Sequence, residues 1–126
     1  LAEGIIVEAG RVLAEQFGGR PGTWRAGVGP SAGPCCYEVQ ADFRAELARR
    51  RPGLTACLRS VGSGWRFDLW SACRAELERA GVPSGRIEVM GRCTICDERF
   101  FSYRREGERA GGVRARIARP AAGRLP

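Results

Sequence analysis

GPSAGPCCYEV, residues 29–39, sets two adjacent cysteines directly behind a repeated Gly-Pro turn. Pro30 and Pro34 fix φ, and Gly29 and Gly33 are expected to supply backbone angles that other residues avoid, so the segment is stiff. An alternating run, TWRAGVG, precedes it, with Trp24, Ala26 and Val28 on one side, and YEVQADFRAELARR follows with Val39, Phe43 and Leu47 at helical spacing. A period of 2 that switches to 3.6 across a rigid turn is the signature of a strand handing over to a helix. The turn itself has two readings. It can present Cys35 at a helix N-terminus, where the dipole makes a thiol reactive, or Cys35 and Cys36 can be small apolar residues filling a corner.

Working outward, residues 2–17 carry Ile5, Ile6, Ala9, Val12, Leu13 and Phe17 on one helical face, and Gly18-Gly19 stops the pattern. The second helix closes at Pro52-Gly53, and residues 53–64 read as loop. Asp68 is placed to cap a third helix, LWSACRAELERA, which packs through Leu69, Ala72, Cys73 and Leu77 and ends at Gly81. RIEVMGRC reads as a strand with Ile87 and Val89 inward, FFSYRR as a further extended segment, Gly107 as a turn and GVRARIA as a last strand. The order predicts an α/β fold, with residues 1–120 forming one domain or part of one and 121–126 a flexible tail.

The chain has 126 residues and a net charge of +7. All 21 basic residues are arginine, and they are interleaved with acids, as in RAELARRR and RAELERAG. Mixed charges of this kind describe a solvated face better than a nucleic-acid groove. No run approaches the roughly eighteen apolar residues of a membrane span, so neither nucleic acid nor membrane is an expected partner.

Cysteines stand at positions 35, 36, 57, 73, 93 and 96, and histidine is absent. With no signal-peptide pattern and an ordinary apolar fraction, reduced thiols in a cytoplasmic protein are expected rather than a disulfide framework. CTIC, Cys93–Cys96, has the spacing of redox pairs and zinc knuckles. A four-thiolate site needs a second spaced pair, and Cys35-Cys36 is adjacent, so a half-buried core pair is the expected reading. FFSYRREG places Ser102 and Tyr103 beside Arg104 and Arg105, an arginine fork suited to an anion such as phosphate. The bland alternative puts Phe100 and Phe101 in the core and the arginines in solvent. Asp42, Glu46, Glu76 and Glu78 read as solvated partners of nearby arginines rather than as an acid/base pair.

Three stretches in this order, VGPSAGPCCYEV, FDLWSACRAELERAGV and IEVMGRCTICDERFFSYRREG, resemble the C-terminal half of the YfiH family. It is also called the multicopper polyphenol oxidase (laccase) or peptidoglycan-editing-factor family. The resemblance spans nearly the whole chain and implies a mixed β-sheet sandwiched by helices, here as an incomplete domain. It implies a purine nucleoside phosphorylase acting on adenosine, inosine, guanosine and methylthioadenosine, with adenosine deaminase activity. Copper-dependent phenol oxidation is also attributed to members.

The resemblance further implies a zinc or copper centre built from two histidines and a cysteine, all in the family's N-terminal half. One histidine lies in a His-Ala-Gly-Trp-Arg-Gly motif just before the helix corresponding to residues 2–17. The chain opens on Leu1 rather than on methionine, and these ligands are expected upstream of Leu1. On that basis no catalytic residue and no metal ligand is expected in this chain, Cys35, Cys36, Cys93 and Cys96 included. The chain alone is expected to be inactive. Phosphorolysis needs cationic donors around phosphate, and Gly29, Gly33, Cys35, Ser102, Arg104 and Arg105 are the candidates to line the pocket. The chain departs from the family pattern at Ala110-Gly111-Gly112, where Thr-Gly-Arg is usual, and at Ser31-Ala32. A catalytically silent interaction module is the competing class.

Overall fold

The first helix, α1, begins at Ile5 and ends at Phe17. Gly18, at φ 66°, turns the chain into the left-handed region, and its N–H and that of Gly19 both reach the Leu13 carbonyl. The structure, a computed structural model, describes residues 1, 3–112 and 114–118. Within them follow β1 (Ala26–Val28), β2 (Glu38–Val39), α2 (Ala41–Arg50), β3 (Leu58–Val61), β4 (Gly64–Phe67), α3 (Leu69–Arg79), β5 (Ile87–Val89) and the single-turn α4 (Tyr103–Glu106). No helix among the described residues is long and apolar enough to cross a membrane.

The expected α/β character holds, and its parallel and antiparallel parts form separate sheets. β1 and β5 pair in parallel, Ala26 beside Ile87 and Val28 beside Val89. The pairing continues as an isolated bridge between Ser31 and Cys93, with Ser31 N–H donating to Arg92 O at 3.2 Å and Thr94 N–H to Ser31 O at 3.1 Å. The second sheet is antiparallel in the order β2-β4-β3. Helix α3 packs against both β1 and β5 on one side and against α1 on another.

Four expectations are corrected. Residues 53–64 are not loop. Pro52–Cys57 make 3-10 turns, and β3 and β4 form a hairpin whose two-residue connection is Gly62-Ser63, with Gly62 at φ 59°. The second helix starts at Ala41 rather than Tyr37, because the Tyr37 carbonyl accepts from Phe67 N–H at 3.0 Å and Val39 pairs with Trp65. FFSYRR is not extended throughout. Ser102 caps α4, its Oγ accepting the Arg105 N–H at 3.3 Å. In GVRARIA, Gly112 and residues 114–118 form no strand, while Val113 and the expected tail lie outside the described residues.

Val39, Leu47, Leu54, Phe67 and Ala72 form the buried core, flanked by Leu1, Tyr37 and Phe43. Leu1 is thus a packing residue: its side chain lies against the core, and its carbonyl accepts the Gly4 N–H at 2.9 Å just ahead of α1. Phe43 and Phe67 lie 5.2 Å apart at 59°, and Tyr37 meets Phe43 edge-on at 6.5 Å. Asp68 caps α3 as expected, accepting from Ser71 N–H at 3.1 Å.

Glu76 departs from its expected place on a solvated face. It is 0 % exposed, with Arg51 Nε 3.8 Å from its carboxylate and no hydrogen-bond partner on either oxygen among the described residues. The 3-10 turns after α2 pack against α3 and bring Arg51 to it, a placement that helix periodicity alone does not reveal. The apolar face of α1 is only partly covered. Gly10 is buried against Ala80, whereas Ile5 and Phe17 are 62 % and 65 % exposed.

Candidate functional site

Because β1 and β5 run in parallel, the loops that follow them leave the sheet on the same side. In open α/β sheets this end, beyond the carboxyl ends of the strands, is where ligands bind. The two loops carry both cysteine motifs. GPSAGPCC follows β1 and CTIC follows β5, and the Ser31–Cys93 bridge draws them together. The sulfurs of Cys35, Cys36, Cys93 and Cys96 all lie within 4.8 Å of one another. Adjacency in sequence therefore does not keep Cys35-Cys36 from converging with Cys93 and Cys96, contrary to the spacing argument. These four donors stand where the family resemblance leads one to expect no metal ligand.

The four thiols have different surroundings. Cys35 and Cys96 are exposed and 3.3 Å apart, Cys36 lies 3.1 Å from Cys96, and Cys93 is buried. Burial raises the Cys35 pKa, assisted by the hydrogen bond with Cys96. For Cys36 the hydrogen bond with Cys96 is the larger cause and burial adds to it, raising the pKa well above the usual thiol range. Cys93 goes the other way. Burial opposes its ionisation, but the backbone amides of Cys96, Gly33 and Ile95 outweigh that and bring it to about 6. The Gly33 N–H donates to Cys93 Sγ at 3.2 Å. Cys93 thus favours ionisation while its neighbours Cys35 and Cys36 resist it.

Gly29 and Gly33 do not take the unusual backbone angles expected of them. Neither has a positive φ. Gly29 stands in open space, but a Cβ at Gly33 would lie 2.9 Å from the Trp70 ring and 3.0 Å from Cys93 Cβ. Glycine is required at 33 for close packing, not for backbone freedom. Trp70 also donates from Nε1 to Ser31 Oγ at 2.9 Å, so it holds the first loop from α3. Sequence reading does not single out Trp70. Its signal is a large aromatic in the first turn of a helix that follows an Asp cap.

The arginine fork divides its labour. Arg104 is exposed, lies 4.9 Å over the Tyr37 ring and donates from Nη1 to Glu38 O at 2.9 Å. Arg105 is held among carbonyls. Nη1 donates to Thr94 O at 2.6 Å and Ile95 O at 2.9 Å, and Nη2 donates to Phe100 O at 2.6 Å. Ser102 is buried, and its hydroxyl caps α4. A one-turn helix rather than a strand thus separates the two arginines, one outward and one built into the loop. Phe101 is 56 % exposed and is not a core residue. A shallow depression beside the thiols is lined by Arg92, Cys93, Cys96, Asp97, Glu98 and Arg99. In it the Arg99 guanidinium, bonded to Asp97 at 2.6 Å, lowers that carboxyl to about 2.

Residues 1–119 match the family model described as multi-copper polyphenol oxidoreductase laccase. A purine nucleoside phosphorylase of Xylella fastidiosa strain 9a5c is 39% identical over 114 residues, covering 82% of this chain and 44% of that protein. Purine nucleoside phosphorylase YlmD of Geobacillus stearothermophilus is 39% identical over 95 residues, covering 73% of this chain and 35% of the relative. The crystal structure of YlmD from Geobacillus stearothermophilus superposes with a TM-score of 0.76 at 34% identity, over 87% of this chain and 42% of that one. Bacillus licheniformis YfiH superposes with a TM-score of 0.75 at 31% identity, over 85% and 42%. The chain thus spans less than half the length of these relatives, and it belongs to the multi-copper polyphenol oxidoreductase laccase family, the family of YfiH and YlmD.

Proposed function

We propose that this chain is the part of a purine nucleoside phosphorylase that supplies the phosphate side of the active site, working with the remaining length that its relatives possess. The observation that carries the reading is that the loops after β1 and β5, with Arg104 standing outward beside them, come together at the carboxyl ends of parallel strands. The names of the relatives support the reaction class. In phosphorolysis a phosphate oxygen bonds to the sugar C1′ as the C1′–N bond to the purine breaks. The products are ribose 1-phosphate and a base that takes up a proton at the released nitrogen.

Arg104, whose guanidinium retains donors beyond the one given to Glu38, is the candidate to hold phosphate and offset charge as that bond breaks. Arg105 and Ser102 support the loop, Arg105 through the carbonyls of Thr94, Ile95 and Phe100 and Ser102 by capping α4. Adenosine, inosine, guanosine and methylthioadenosine are the proposed substrates, with deamination of adenosine to inosine and ammonia as a second activity. The metal centre implied by the family rests on two histidines and a cysteine, expected upstream of Leu1, and this chain contains no histidine. That ligand set cannot be assembled from these residues.

The test is to incubate the whole encoded protein with adenosine or inosine and follow free base and ribose 1-phosphate by chromatography. Phosphate-dependent release of base supports the reading, and Arg104→Ala should raise the KM for phosphate by roughly tenfold or more. Absence of base with the whole protein overturns it. Oxygen-dependent oxidation of a phenolic dye by the same preparation would favour the oxidase reading suggested by the family description. The 126-residue chain alone is expected to form neither adenine nor inosine.

A further inference from the structure

We propose that Cys35, Cys36, Cys93 and Cys96 form a four-thiolate site for one zinc-class cation, which ties the loop after β1 to the loop after β5. The first argument is distance. Tetrahedral zinc with Zn–S bonds of about 2.3 Å needs its sulfurs about 3.8 Å apart. Here the sulfurs span 3.1 Å to at most 4.8 Å, bracketing that value. A disulfide needs sulfurs about 2.0 Å apart and joins only two of the four, so it leaves the convergence of the other two unexplained.

The second argument is the backbone around CTIC, which has the Cys-x-x-Cys spacing of a knuckle. Arg105 gathers the carbonyls of Thr94 and Ile95 on its side. A trans peptide directs each carbonyl opposite to the N–H that follows it, so the same clamp turns the amides of Ile95 and Cys96 away from Arg105, toward the sulfur side. The Gly33 N–H reaches Cys93 Sγ from the other loop. Amides aimed at a metal-bound sulfur offset its charge and fix its orientation. Arg105 is therefore a positioning residue for the knuckle.

The third argument is donor chemistry. Four sulfurs and no imidazole select a soft cation over magnesium or calcium. Thiols that are protonated release their protons to solvent on binding, and Arg92 lines the depression beside the resulting thiolates, where Arg99 is already paired with Asp97. Cys35 and Cys96 are exposed, which provides the entry path. The site does not use Arg104, the residue proposed to hold phosphate, so the two readings can fail separately. Metal can bind without turnover, and phosphorolysis can proceed without a thiolate metal.

The experiment is titration of the reduced, metal-free protein with Co²⁺, followed by displacement with Zn²⁺. One equivalent of cobalt should give thiolate-to-cobalt charge transfer and intense tetrahedral d–d bands, which Zn²⁺ bleaches at the same stoichiometry. Cys36→Ser and Cys96→Ser should abolish the four-thiolate spectrum, and Cys57→Ser and Cys73→Ser should leave it unchanged. Arg105→Lys should keep the band positions and weaken zinc binding roughly 10–100-fold.

Because cysteine variants can misfold, the wild-type protein supplies an independent measurement. Zn²⁺ should slow alkylation of Cys35, Cys36, Cys93 and Cys96, mapped by mass spectrometry, without slowing Cys57 or Cys73. No charge-transfer band, an unaltered alkylation pattern with Zn²⁺, or a Cys36–Cys96 disulfide in protein isolated anaerobically would each overturn the proposal.

Discussion

The antiparallel half of the molecule and the parallel half are held together by different physics. Sheet β2-β4-β3, with α2 and the 3-10 turns after it, encloses Val39, Leu47, Leu54, Phe67 and Ala72 in contact with one another. The β1-β5 pair has two short strands, and its loops meet through a bridge at Ser31–Cys93, a Trp70–Ser31 hydrogen bond, the Arg105 clamp and four sulfurs. The first is a hydrophobic core, with each large side chain contributing about 1.5–3 kcal/mol through area removed from water. The second buries Ile87 on β5, but its loops are tied by directed polar contacts, each contributing about 1 kcal/mol net but costly to leave unmade. Stability should therefore reside in the first half and ligand chemistry in the second.

The largest expected effect falls in the core. Phe67→Ala removes a ring that is 1 % exposed and should destabilise the fold by about 3–5 kcal/mol in urea unfolding, leaving Cys93 and its neighbours converged in whatever remains folded. A loss under about 1 kcal/mol would refute the division between the halves. Next is Glu76→Gln. It strips the counter-charge from Arg51 inside the fold, so a loss of about 3 kcal/mol is expected, again by urea midpoint.

Gly33→Ala probes the other half. The added methyl would sit 2.9 Å from the Trp70 ring and 3.0 Å from Cys93 Cβ, closer than packed carbons tolerate. About 1–3 kcal/mol of destabilisation is expected, with altered thiol alkylation rates. Gly29→Ala, in open space, should stay within about 0.5 kcal/mol. Asp68→Ala removes the α3 cap at a cost of about 1 kcal/mol and should leave the thiols untouched.

The smallest effect is at Asp97. Its carboxyl is held at about 2 by the hydrogen bond from Arg99. The folded value lies below the unfolded one, about 3.9, so its contribution is complete above that value and fades as pH falls through about 2. An NMR titration of the Asp97 carboxyl checks the midpoint, and Asp97→Asn should barely change stability at neutral pH.

Legibility follows the range of the interactions. Helix α3 is readable because its cap, apolar spacing and stop all lie between Asp68 and Gly81. Strands β1 and β5 are readable from alternation, whereas their parallel pairing is seen only in the fold. The β3-β4 hairpin is lost in a loop reading, although VGSG between two alternating runs is a hairpin signal in its own right. The loop reading fails there because the strands are only four residues long and Pro52-Gly53 precedes them. In FFSYRR, aromatic and polar residues suit a strand, while the local bond from Arg105 N–H to Ser102 Oγ decides for a helical turn.

Among the candidate site residues, the sequence singles out the two cysteine motifs and the paired arginines and leaves their mutual arrangement open. Which arginine faces outward depends on where α4 docks, since Arg104 reaches across to Glu38 while Arg105 turns back to Thr94 and Ile95. Gly33 has no local explanation at all, because its constraint comes from Trp70 and Cys93, both remote in the chain.

The sequence by itself determined the α/β class, the glycine stop of α1, the Asp68 cap and the family resemblance, because these rest on spacing and chemistry between near neighbours in the chain. Only the tertiary structure decided that Glu76 is buried against Arg51, that Arg105 clamps the carbonyls of Thr94 and Ile95, and that four cysteines separated by up to 61 positions share one place. The physical reason is that parallel pairing of β1 with β5 superimposes two loops whose separation along the chain carries no information about their distance in space.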